Sequence, residues 1–236
     1  MNKLKNIDIY LDGPTKKEIF FTKSKLIKGY TYNPSIFKNL GVKNYLSACR
    51  TISKSIYPKH VSFEVFADDR KNMIMQAEVI SKINKNIYVK IPITYTNGKY
   101  TDEVIKLLIM KNIKLNITAI FNLEQVKRIF PYIKNTKTIL SVFAGRIHDM
   151  GENASYEVNK ISNFLKINKS KCKLLWASTR QIYDLISAKK SGCHIITMST
   201  TIYKKKENFK KDWKKFSLET VKGFYNDAKK SKFKIK

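Results

Sequence analysis

The amino-acid sequence predicts a parallel α/β fold, and among such folds a (β/α)8 barrel with an added C-terminal helix. Short apolar runs of strand length alternate with longer amphipathic runs whose apolar residues recur every three or four positions. Eight such strands follow one another within about 200 residues, which is the number that closes a barrel. An open doubly wound sheet is the competing fold. It usually carries a glycine-rich first turn, and none follows Leu11.

The first half of the chain is divided by apolar runs and by signals for helix starts. Pro34 is well placed in a first helical turn, and Asp68 is expected to be the N-cap of a helix that runs to residue 83. The predicted elements, each strand followed by its helix, are 7–11 and 15–27, 30–33 and 34–55, 60–66 and 68–83, and 86–91 and 102–111.

The second half repeats the pattern and then changes in composition. The predicted elements are 114–121 and 123–133, 138–143 and 154–167, 173–177 and 180–189, and the eighth strand 194–198. Beyond residue 200 lysines and aromatic residues become frequent. We therefore expect one domain over residues 1–236, with a barrel core at about 7–200 and a lysine-rich helical extension at about 201–236.

The C-terminal extension has the pattern of an amphipathic helix. Phe209, Trp213 and Phe216 are spaced by four and three residues, which places them on one helix face. The stripe continues with Leu218, Val221, Phe224, Tyr225 and Ala228. One interpretation is a basic helix for membranes or nucleic acid. We favour the other, a C-terminal helix that packs on the same subunit or on a neighbouring one.

Composition excludes several classes of protein. No run of 18 apolar residues is present, so the sequence predicts no membrane-spanning helix, and the first residues lack the apolar core of a signal peptide. Three widely spaced cysteines, an odd number, do not form a disulfide framework. We therefore expect a cytoplasmic protein.

The formal net charge of +29 is the most unusual bulk property. A polyanionic partner such as nucleic acid or an anionic membrane is one explanation. However, only five of the 47 basic residues are arginine, the residue that base and phosphate recognition favours, and the lysines are spread along the whole chain. We favour a general lysine bias and expect neither a nucleic-acid nor a membrane partner. The charge can still steer a phosphorylated substrate to the protein.

The fourth predicted strand contains a lysine within an apolar run, Ile-Tyr-Val-Lys-Ile-Pro at residues 87–92. Burial disfavours the charged form of a lysine, and a neutral amine in an accessible pocket is what Schiff-base chemistry requires. The alternative is that Lys90 lies at a strand end and extends along its stem to solvent.

Polar residues recur near the C-terminal ends of the predicted strands, where barrel enzymes place their chemistry. They are Asp12, Asn33, Glu64, Lys90, Asn116 with Thr118, Arg146, and Ser178 with Arg180. Each of them alone has an ordinary explanation as a turn, strand or surface residue. Together they supply the amine, carboxylates, hydroxyl and amide groups and arginines that an imine-forming lyase or transferase needs.

Other chemistries find little support in the sequence. The three histidines are scattered and lack cysteine or carboxylate neighbours at metal-ligand spacing. No nucleophile elbow, phosphate-binding loop or dinucleotide fingerprint is present. We expect no metal ion and no cofactor.

The sequence motifs resemble those of the transaldolases, in particular the short subfamily that includes the fructose-6-phosphate aldolases. They extend over about residues 7–200, in the family's order and spacing. They are Tyr10-Leu11-Asp12, Thr31-Tyr32-Asn33-Pro34-Ser35, Glu64-Val65, Val89-Lys90-Ile91-Pro92, Asn116-Ile117-Thr118, Gly145-Arg146-Ile147-His148-Asp149 and Ala177-Ser178-Thr179-Arg180.

The resemblance implies a (β/α)8 barrel and a catalytic triplet. Lys90 would form a Schiff base with the C2 carbonyl of a ketose phosphate, Glu64 would shuttle protons through a water, and Asp12 would take the proton of the C4 hydroxyl. The bound dihydroxyacetone unit would then pass to an aldose phosphate. Asn33, Asn116 and Thr118 would hold the hydroxyls of the intermediate and the catalytic water, and Arg146, Ser178 and Arg180 would bind the phosphate. The implied substrate-binding residues are Thr31, Asn33, Asn116, Thr118, Phe143, Arg146, Ser178 and Arg180.

Two positions bear on transfer against simple aldol cleavage. The aldolases of the family have a Gln and a Tyr at the positions where this sequence has Glu64 and Phe143. The Glu and Phe pair of this sequence is similar to the pair in the transferring branch. An aldolase that releases dihydroxyacetone stays open, as does a non-catalytic barrel that binds a polyanion. Departures from the family pattern are Gly13-Pro14, Tyr32, Val142 and Ser199. In the family the C-terminal helix often packs on a neighbouring subunit, so the resemblance implies a homo-oligomer.

Overall fold

The computed structural model describes residues 6–22 and 24–235, and for Phe21 the backbone alone. The strands are Asp8–Asp12 (β1), Ile27–Tyr32 (β2), His60–Glu64 (β3), Ile87–Pro92 (β4), Leu115–Ile120 (β5), Ile139–Val142 (β6), Lys173–Trp176 (β7) and Ile195–Met198 (β8). The helices are Lys16–Phe21 (α1), Pro34–Asn39 (α2), Tyr45–Ile56 (α3), Arg70–Ser81 (α4), Asp102–Met110 (α5), Leu123–Ile133 (α6), Ala144–Asp149 (α7), Ala154–Ile167 (α8), Asp184–Lys190 (α9), Thr200–Lys204 (α10) and Trp213–Ser231 (α11).

The described strands form a closed parallel barrel. Each strand pairs with the next one in sequence, and β8 pairs with β1 to complete the ring. Helices alternate with the strands and cover the outer face, as the chain order β1–α1–β2 and onward requires. The predicted (β/α)8 barrel with an added C-terminal helix is confirmed.

Inside the barrel the side chains form layers contributed by alternate strands. The even strands supply a polar layer of Thr31, Lys90, Ser141 and Thr197. The odd strands supply Asp12, Glu64 and Thr118 on the side of the C-terminal strand ends, and Tyr10, Ser62, Asn116 and Leu175 on the other side. Hydrogen bonds within these layers connect side chains of strands that are not adjacent in the sheet.

The N-terminal end of the barrel is filled by large side chains. Tyr10 packs with Tyr88, Ile139 and other apolar residues in a buried cluster separate from the main core. The Tyr10 hydroxyl bonds to Nδ1 of His60 at 2.9 Å. Gly29 gives this ring its space, because a Cβ at that position would lie 2.7 Å from the Tyr10 ring. The barrel is therefore closed at this end and polar toward the other.

Local side-chain signals set several helix starts. Each of five residues accepts a hydrogen bond from a backbone N–H in the first turn of its helix, which satisfies a donor that has no partner within the helix. They are Thr15, Asn33, Asn44, Asp69 and Asn122. Asp69 is thus the cap of α4, and the expectation for Asp68 was wrong. Asp68 accepts instead from the backbone N–H of Thr96 at 2.8 Å.

Two predicted helices in the first half were too long. The helix predicted at 15–27 ends at Phe21. A turn then leads into β2, and in this turn the Ser24 hydroxyl accepts a hydrogen bond from the Leu26 N–H. Residue 23 lies outside the described residues. The helix 34–55 is two helices, α2 and α3. The chain turns between them at Gly41, where φ is +67°, a backbone conformation that glycine adopts without strain.

Two further differences lie in the second half. The helix predicted at 180–189 begins at Asp184, because the Asp184 carboxylate accepts the backbone N–H groups of Arg180 and Gln181 and holds them in a loop. The short helix α7 after β6 was not predicted. It has six residues and no side-chain cap, so neither periodicity nor a start signal indicates it.

The C-terminal part leaves the barrel after a 3₁₀ segment, Lys205–Lys210. Phe209 packs against the core, but none of the 19 residues of α11 is buried. Within the described residues, α11 therefore does not pack on its own barrel. Among those same residues, no helix has the length and apolar character needed to cross a membrane.

Candidate active site

Lys90 and Glu64 form an ion pair inside the barrel. Their strands β3 and β4 are paired so that the two residues lie side by side, and Nζ of Lys90 is 2.8 Å from Oε2 of Glu64. The side chains are 7% and 19% exposed, so both charges are largely removed from water. The alternative in which Lys90 extends to bulk solvent is wrong, because the residue is 5% exposed. A buried amine is therefore held next to a group that can accept its proton.

Asp12 lies at the end of β1, beside β2. The Thr31 hydroxyl donates to Oδ1 of Asp12 at 2.6 Å, and the same Thr31 oxygen is 2.7 Å from the hydroxyl oxygen of Thr197. Burial raises the pKa of the Asp12 carboxyl, while the charge of Lys90 and the Thr31 hydrogen bond act in the opposite direction. The carboxyl is thus suited to take up a proton more readily than an exposed aspartate does.

Asn116 is the centre of a second buried chain of hydrogen bonds. Its side-chain nitrogen donates to the Ser62 hydroxyl at 3.0 Å, and its oxygen accepts from the Ser141 hydroxyl at 2.7 Å. The β4–β5 register places Asn116 next to Lys90. The carboxamide is therefore fixed in orientation beside the amine by two serines.

Ser62, Ser141 and Thr197 were not among the predicted site residues. Ser62 and Ser141 lie two positions before Glu64 and Phe143, so on a strand they point to the same interior as those residues. Thr197 lies on β8, for which no site residue was predicted. The period of two along a strand was the signal that would have identified Ser62 and Ser141 as interior groups, whereas β8 had no predicted site residue from which to count to Thr197.

Thr118 is a predicted site residue with open hydrogen-bonding capacity. Its hydroxyl is buried and has no hydrogen-bond partner among the described residues. The following residue, Ala119, has φ of +58° at a point where the pairing of β5 and β6 is irregular. A buried hydroxyl without a partner is costly, so this group is suited to bind a polar ligand atom.

Asn33 and Phe143 lie at the rim of the barrel. The Asn33 side-chain oxygen accepts from the Ile36 N–H at 2.8 Å, so this oxygen belongs to the cap of α2 and leaves the amide nitrogen for a ligand. The half-buried Phe143 ring contacts Phe121, with ring centroids 6.2 Å apart. The guanidinium of Arg146 lies over the Phe143 ring, 5.8 Å from its centroid.

Gly145 brings the predicted phosphate-binding residues together. A Cβ at Gly145 would lie 1.6 Å from the backbone oxygen of Ser178, so the two chain segments are in contact only because this residue is glycine. Ser178 itself has φ of +63°, an uncommon conformation for a serine that marks a constrained turn. The Arg180 stem would lie 3.3 Å from the same Cβ, which places Arg180 beside the segment that carries Arg146.

Arg180 is already engaged. Its guanidinium forms a two-pronged ion pair with Asp149, with Nε 3.0 Å from Oδ1, and it also donates to the Ser178 backbone oxygen. The hydrogen bond with Asp149 raises the pKa of Arg180, and the same bond lowers the pKa of Asp149. Two of the five guanidinium N–H groups remain for a ligand. Arg146 is exposed and has no ion-pair partner among the described residues.

Two of the departures from the family pattern contact each other. The buried Tyr32 hydroxyl donates to the backbone oxygen of Pro14 at 2.8 Å. Gly13, the residue before Pro14, has φ of +63°, and a Cβ at this position would lie 2.6 Å from the Ile36 side chain. The altered turn after Asp12 and the tyrosine on β2 therefore form one structural unit.

An open groove of about 600 Å³ lies at the opposite end of the barrel. Its lining includes Lys82, Lys85, Lys111 and Lys114, and none of the predicted site residues contributes to it. Lys111 is paired there with Glu78 at 2.7 Å. The groove holds basic surface groups but none of the buried polar chemistry found around Lys90.

A barrel with a buried amine and two carboxylates at the C-terminal ends of its strands has the arrangement of a barrel enzyme. The sequence profile of the family described as Transaldolase/Fructose-6-phosphate aldolase matches residues 9–235, and the chain belongs to that family. Two curated relatives, both called "Probable transaldolase", indicate a transaldolase-type enzyme. The protein of Clostridioides difficile is 30% identical and that of Clostridium acetobutylicum 32% identical. The alignments cover 82% and 80% of this chain and 90% and 88% of the relatives.

Solved structures show the same fold at low sequence identity. An N-acetylneuraminate lyase from Mycoplasma synoviae superposes with a TM-score of 0.57 at 14% identity, over 96% of this chain and 81% of that one. A structure from Sinorhizobium meliloti gives a TM-score of 0.58 at 6% identity, and this chain spans 52% of its length. At these identities the likeness concerns the barrel alone.

Proposed function

We propose that the protein is a transaldolase-type transferase that moves a dihydroxyacetone unit from a ketose phosphate to an aldose phosphate through a Schiff base on Lys90. The observation that carries this proposal is the buried ion pair of Lys90 and Glu64, with the Asp12 carboxyl in the adjoining layer. Family membership supports the same reaction class. We further propose that the enzyme acts in the cytoplasm, without a cofactor or metal ion.

Imine formation begins with transfer of the ammonium proton of Lys90 to Glu64, 2.8 Å away. The neutral amine adds to the C2 carbonyl of the ketose phosphate and gives a carbinolamine. Glu64, through a water molecule, returns a proton to the carbinolamine hydroxyl, which leaves as water. The product is a protonated imine, whose positive charge makes it an electron sink.

Cleavage then needs a base on the opposite side of the bound sugar. Asp12 takes the proton of the C4 hydroxyl, the C3–C4 bond breaks, and its electron pair moves into the imine to form an enamine. The first aldose phosphate leaves as an aldehyde. An acceptor aldose phosphate then adds to the enamine carbon, Asp12 returns the proton to the new hydroxyl, and water hydrolyses the imine to free Lys90.

The remaining predicted residues hold the substrate in this scheme. Asn116 and Thr118 contact the hydroxyls of the three-carbon unit and the catalytic water, Thr31 orients Asp12, and Asn33 offers its amide nitrogen at the rim. Arg146, Ser178 and Arg180 bind the phosphate by charge-assisted hydrogen bonds. The contact of Gly145 with Ser178 supports a common phosphate site for these three residues. Phe143 forms one wall of the entrance.

Borohydride trapping tests the proposal. The protein is incubated with fructose 6-phosphate or sedoheptulose 7-phosphate, reduced and digested, and the adduct is located by mass spectrometry. We expect a three-carbon adduct on Lys90 that is absent from Lys90→Met and retained in Lys114→Met, a control lysine at the opposite end of the barrel. A folded protein that gives no Lys90 adduct with any ketose would return the polyanion-binding barrel to first place.

Acceptor dependence separates transfer from simple aldol cleavage. A transferase turns over fructose 6-phosphate only when an acceptor such as erythrose 4-phosphate is present, whereas an aldolase releases free dihydroxyacetone without it. We expect acceptor dependence, because Glu64 and Phe143 are the pair similar to the transferring branch. Dihydroxyacetone accumulation at the same rate without acceptor would instead assign the aldolase reaction.

We also propose that a second copy of this chain covers α11. The helix buries none of its residues on its own barrel, and Trp213, Phe224 and Tyr225 are 93%, 71% and 66% exposed. Most of the stability of a protein helix comes from packing of its apolar face, so the exposed apolar side of α11 needs a partner. Light scattering should give an oligomer that Trp213→Lys with Phe224→Lys dissociates and Lys222→Ala does not. A monomeric wild-type protein would contradict the proposal.

A further inference from the structure

Thr197 lies inside the barrel on β8, and no site residue was predicted on this strand or directly after it. It is buried, and its hydroxyl oxygen is 2.7 Å from that of Thr31. The register pairs Thr197 with Tyr10 on β1, so the contact crosses from β8 to β2 over the strand between them. This contact lies within the polar layer that also holds Lys90.

The direction of the hydrogen bonds follows from counting protons. A threonine hydroxyl has one proton and two acceptor lone pairs. Thr31 uses its proton to donate to Oδ1 of Asp12 at 2.6 Å. In the Thr31–Thr197 contact, Thr31 must therefore accept and Thr197 must donate. The result is a directed chain from Thr197 through Thr31 to the carboxylate.

This chain also determines which carboxylate oxygen is available. Oδ1 of Asp12 is occupied by Thr31, and within the described residues no hydrogen bond reaches Oδ2. The base in the proposed cleavage step is then Oδ2. A second donor behind Thr31 polarises its O–H bond and strengthens the donation to Oδ1, as hydrogen bonds in a chain reinforce one another.

We infer that Thr197 is a positioning residue, which fixes the Thr31 hydroxyl as a donor to Asp12 and thereby holds Oδ2 of Asp12 toward the substrate. The inference rests on the proposed function for its catalytic consequence. The effect of Thr197 on Asp12 does not depend on the proposed function, because the ionisation of the Asp12 carboxyl can be followed without turnover. In this role Thr197 acts on Asp12 through Thr31.

The test follows the Asp12 carboxyl by carbon NMR, with the signal assigned by its loss in Asp12→Asn, together with the acid limb of the pH profile of activity. Thr31→Val removes the hydroxyl that donates to Asp12 and should raise the ionisation midpoint of the Asp12 carboxyl by about one to two pH units. Thr197→Val keeps the shape of the side chain and should raise it by about half a unit, with Thr197→Ser restoring the wild-type value.

A double variant distinguishes action through Thr31 from a general structural effect. In the Thr31→Val background, Thr197→Val should leave the midpoint unchanged, because its only route to Asp12 is gone. The matched control is Thr138→Val, which removes a buried hydroxyl from another threonine pair, 2.7 Å from Thr136, and should leave Asp12 unaffected.

Three results would overturn the inference: an unmoved midpoint in Thr197→Val, an equal shift in Thr138→Val, or a Thr197→Val shift that persists in the Thr31→Val background. If Thr197→Val does not fold, Thr197→Ala is measured against the same criteria. Borohydride trapping on Lys90 keeps the two questions separate. Failure of trapping rejects the proposed function, whereas normal trapping with an unmoved Asp12 midpoint rejects only the role of Thr197.

Discussion

The buried pair of Lys90 and Glu64 predicts a large energetic coupling between two residues of the candidate active site. The amine and the carboxylate are 2.8 Å apart, with side chains 7% and 19% exposed. Glu64→Gln keeps the shape of the side chain but removes its charge, and Lys90→Met does the same for the amine. Each single variant leaves the other charge buried without its partner, whereas the double variant leaves neither.

The size of the effect follows from separation and burial. Unit charges at 2.8 Å attract by about 6 kcal/mol at an effective dielectric constant of about 20. Desolvation offsets part of this, and breaking one side of a buried pair typically costs about 3–5 kcal/mol. We expect each single variant to lose about 3 kcal/mol of the free energy of unfolding. The value is at the low end because Glu64 keeps some contact with water. The double variant should lose far less than the sum.

Urea denaturation of the four proteins gives the coupling energy directly. The control is the Lys127–Glu124 pair, which has the same separation of 2.8 Å but side chains 47% and 74% exposed. There we expect a coupling of about 0.3–0.5 kcal/mol. If the Lys90–Glu64 cycle is additive within about 0.5 kcal/mol, or if it matches the exposed pair, the buried ion pair as described is refuted.

Three further predictions concern residues around the site. Burial raises the pKa of Asp12, so ionisation of this carboxyl opposes folding. The gain in free energy of unfolding of Asp12→Asn over wild type should therefore grow as the pH rises through the ionisation midpoint of Asp12. A gain that falls with rising pH in urea denaturation would contradict this. Gly145→Ala should lower the free energy of unfolding by about 1–3 kcal/mol or more and raise KM for phosphorylated sugars, because its Cβ meets the Ser178 oxygen; wild-type values for both would contradict the contact. Tyr32→Phe should lose about 1–3 kcal/mol, because the Pro14 oxygen is left without its donor, and a stability equal to wild type in denaturation would contradict that bond.

The barrel could be predicted from the sequence because its strands and helices differ in period. The run at 87–92 is too short and too apolar for a surface helix, and 102–111 repeats its apolar residues at helical spacing. Element ends were harder to predict. One helix ends near Gly41 because of a single backbone conformation, and the chain turns at Ser24 because of a single hydrogen bond. Neither feature changes the spacing of apolar residues from which the helices were predicted.

The candidate site was predictable only in part, because strand position and side-chain partners are separate questions. Parallel strands align their C-terminal ends, so Asp12, Glu64 and Lys90 had to converge once the barrel was assumed. The pairing of Arg180 with Asp149 depends on how two loops approach each other. That approach is decided by the glycine contact and by the loop backbone, which spacing along the sequence does not encode.

The layered interior explains why a search of the strand ends missed part of the polar interior. Ser62, Ser141 and Thr197 lie within their strands rather than after them. The two serines hydrogen-bond Asn116, and Thr197 hydrogen-bonds Thr31. Below these hydroxyls the aromatic and aliphatic side chains around Tyr10 close the barrel. Among the described residues, the open side toward Lys90 is therefore the rim that carries Phe143 and the arginines. In the proposed reaction, a phosphate bound at this rim would place the far end of an open-chain sugar near the amine of Lys90, so binding of one end of the substrate would position the other end for reaction.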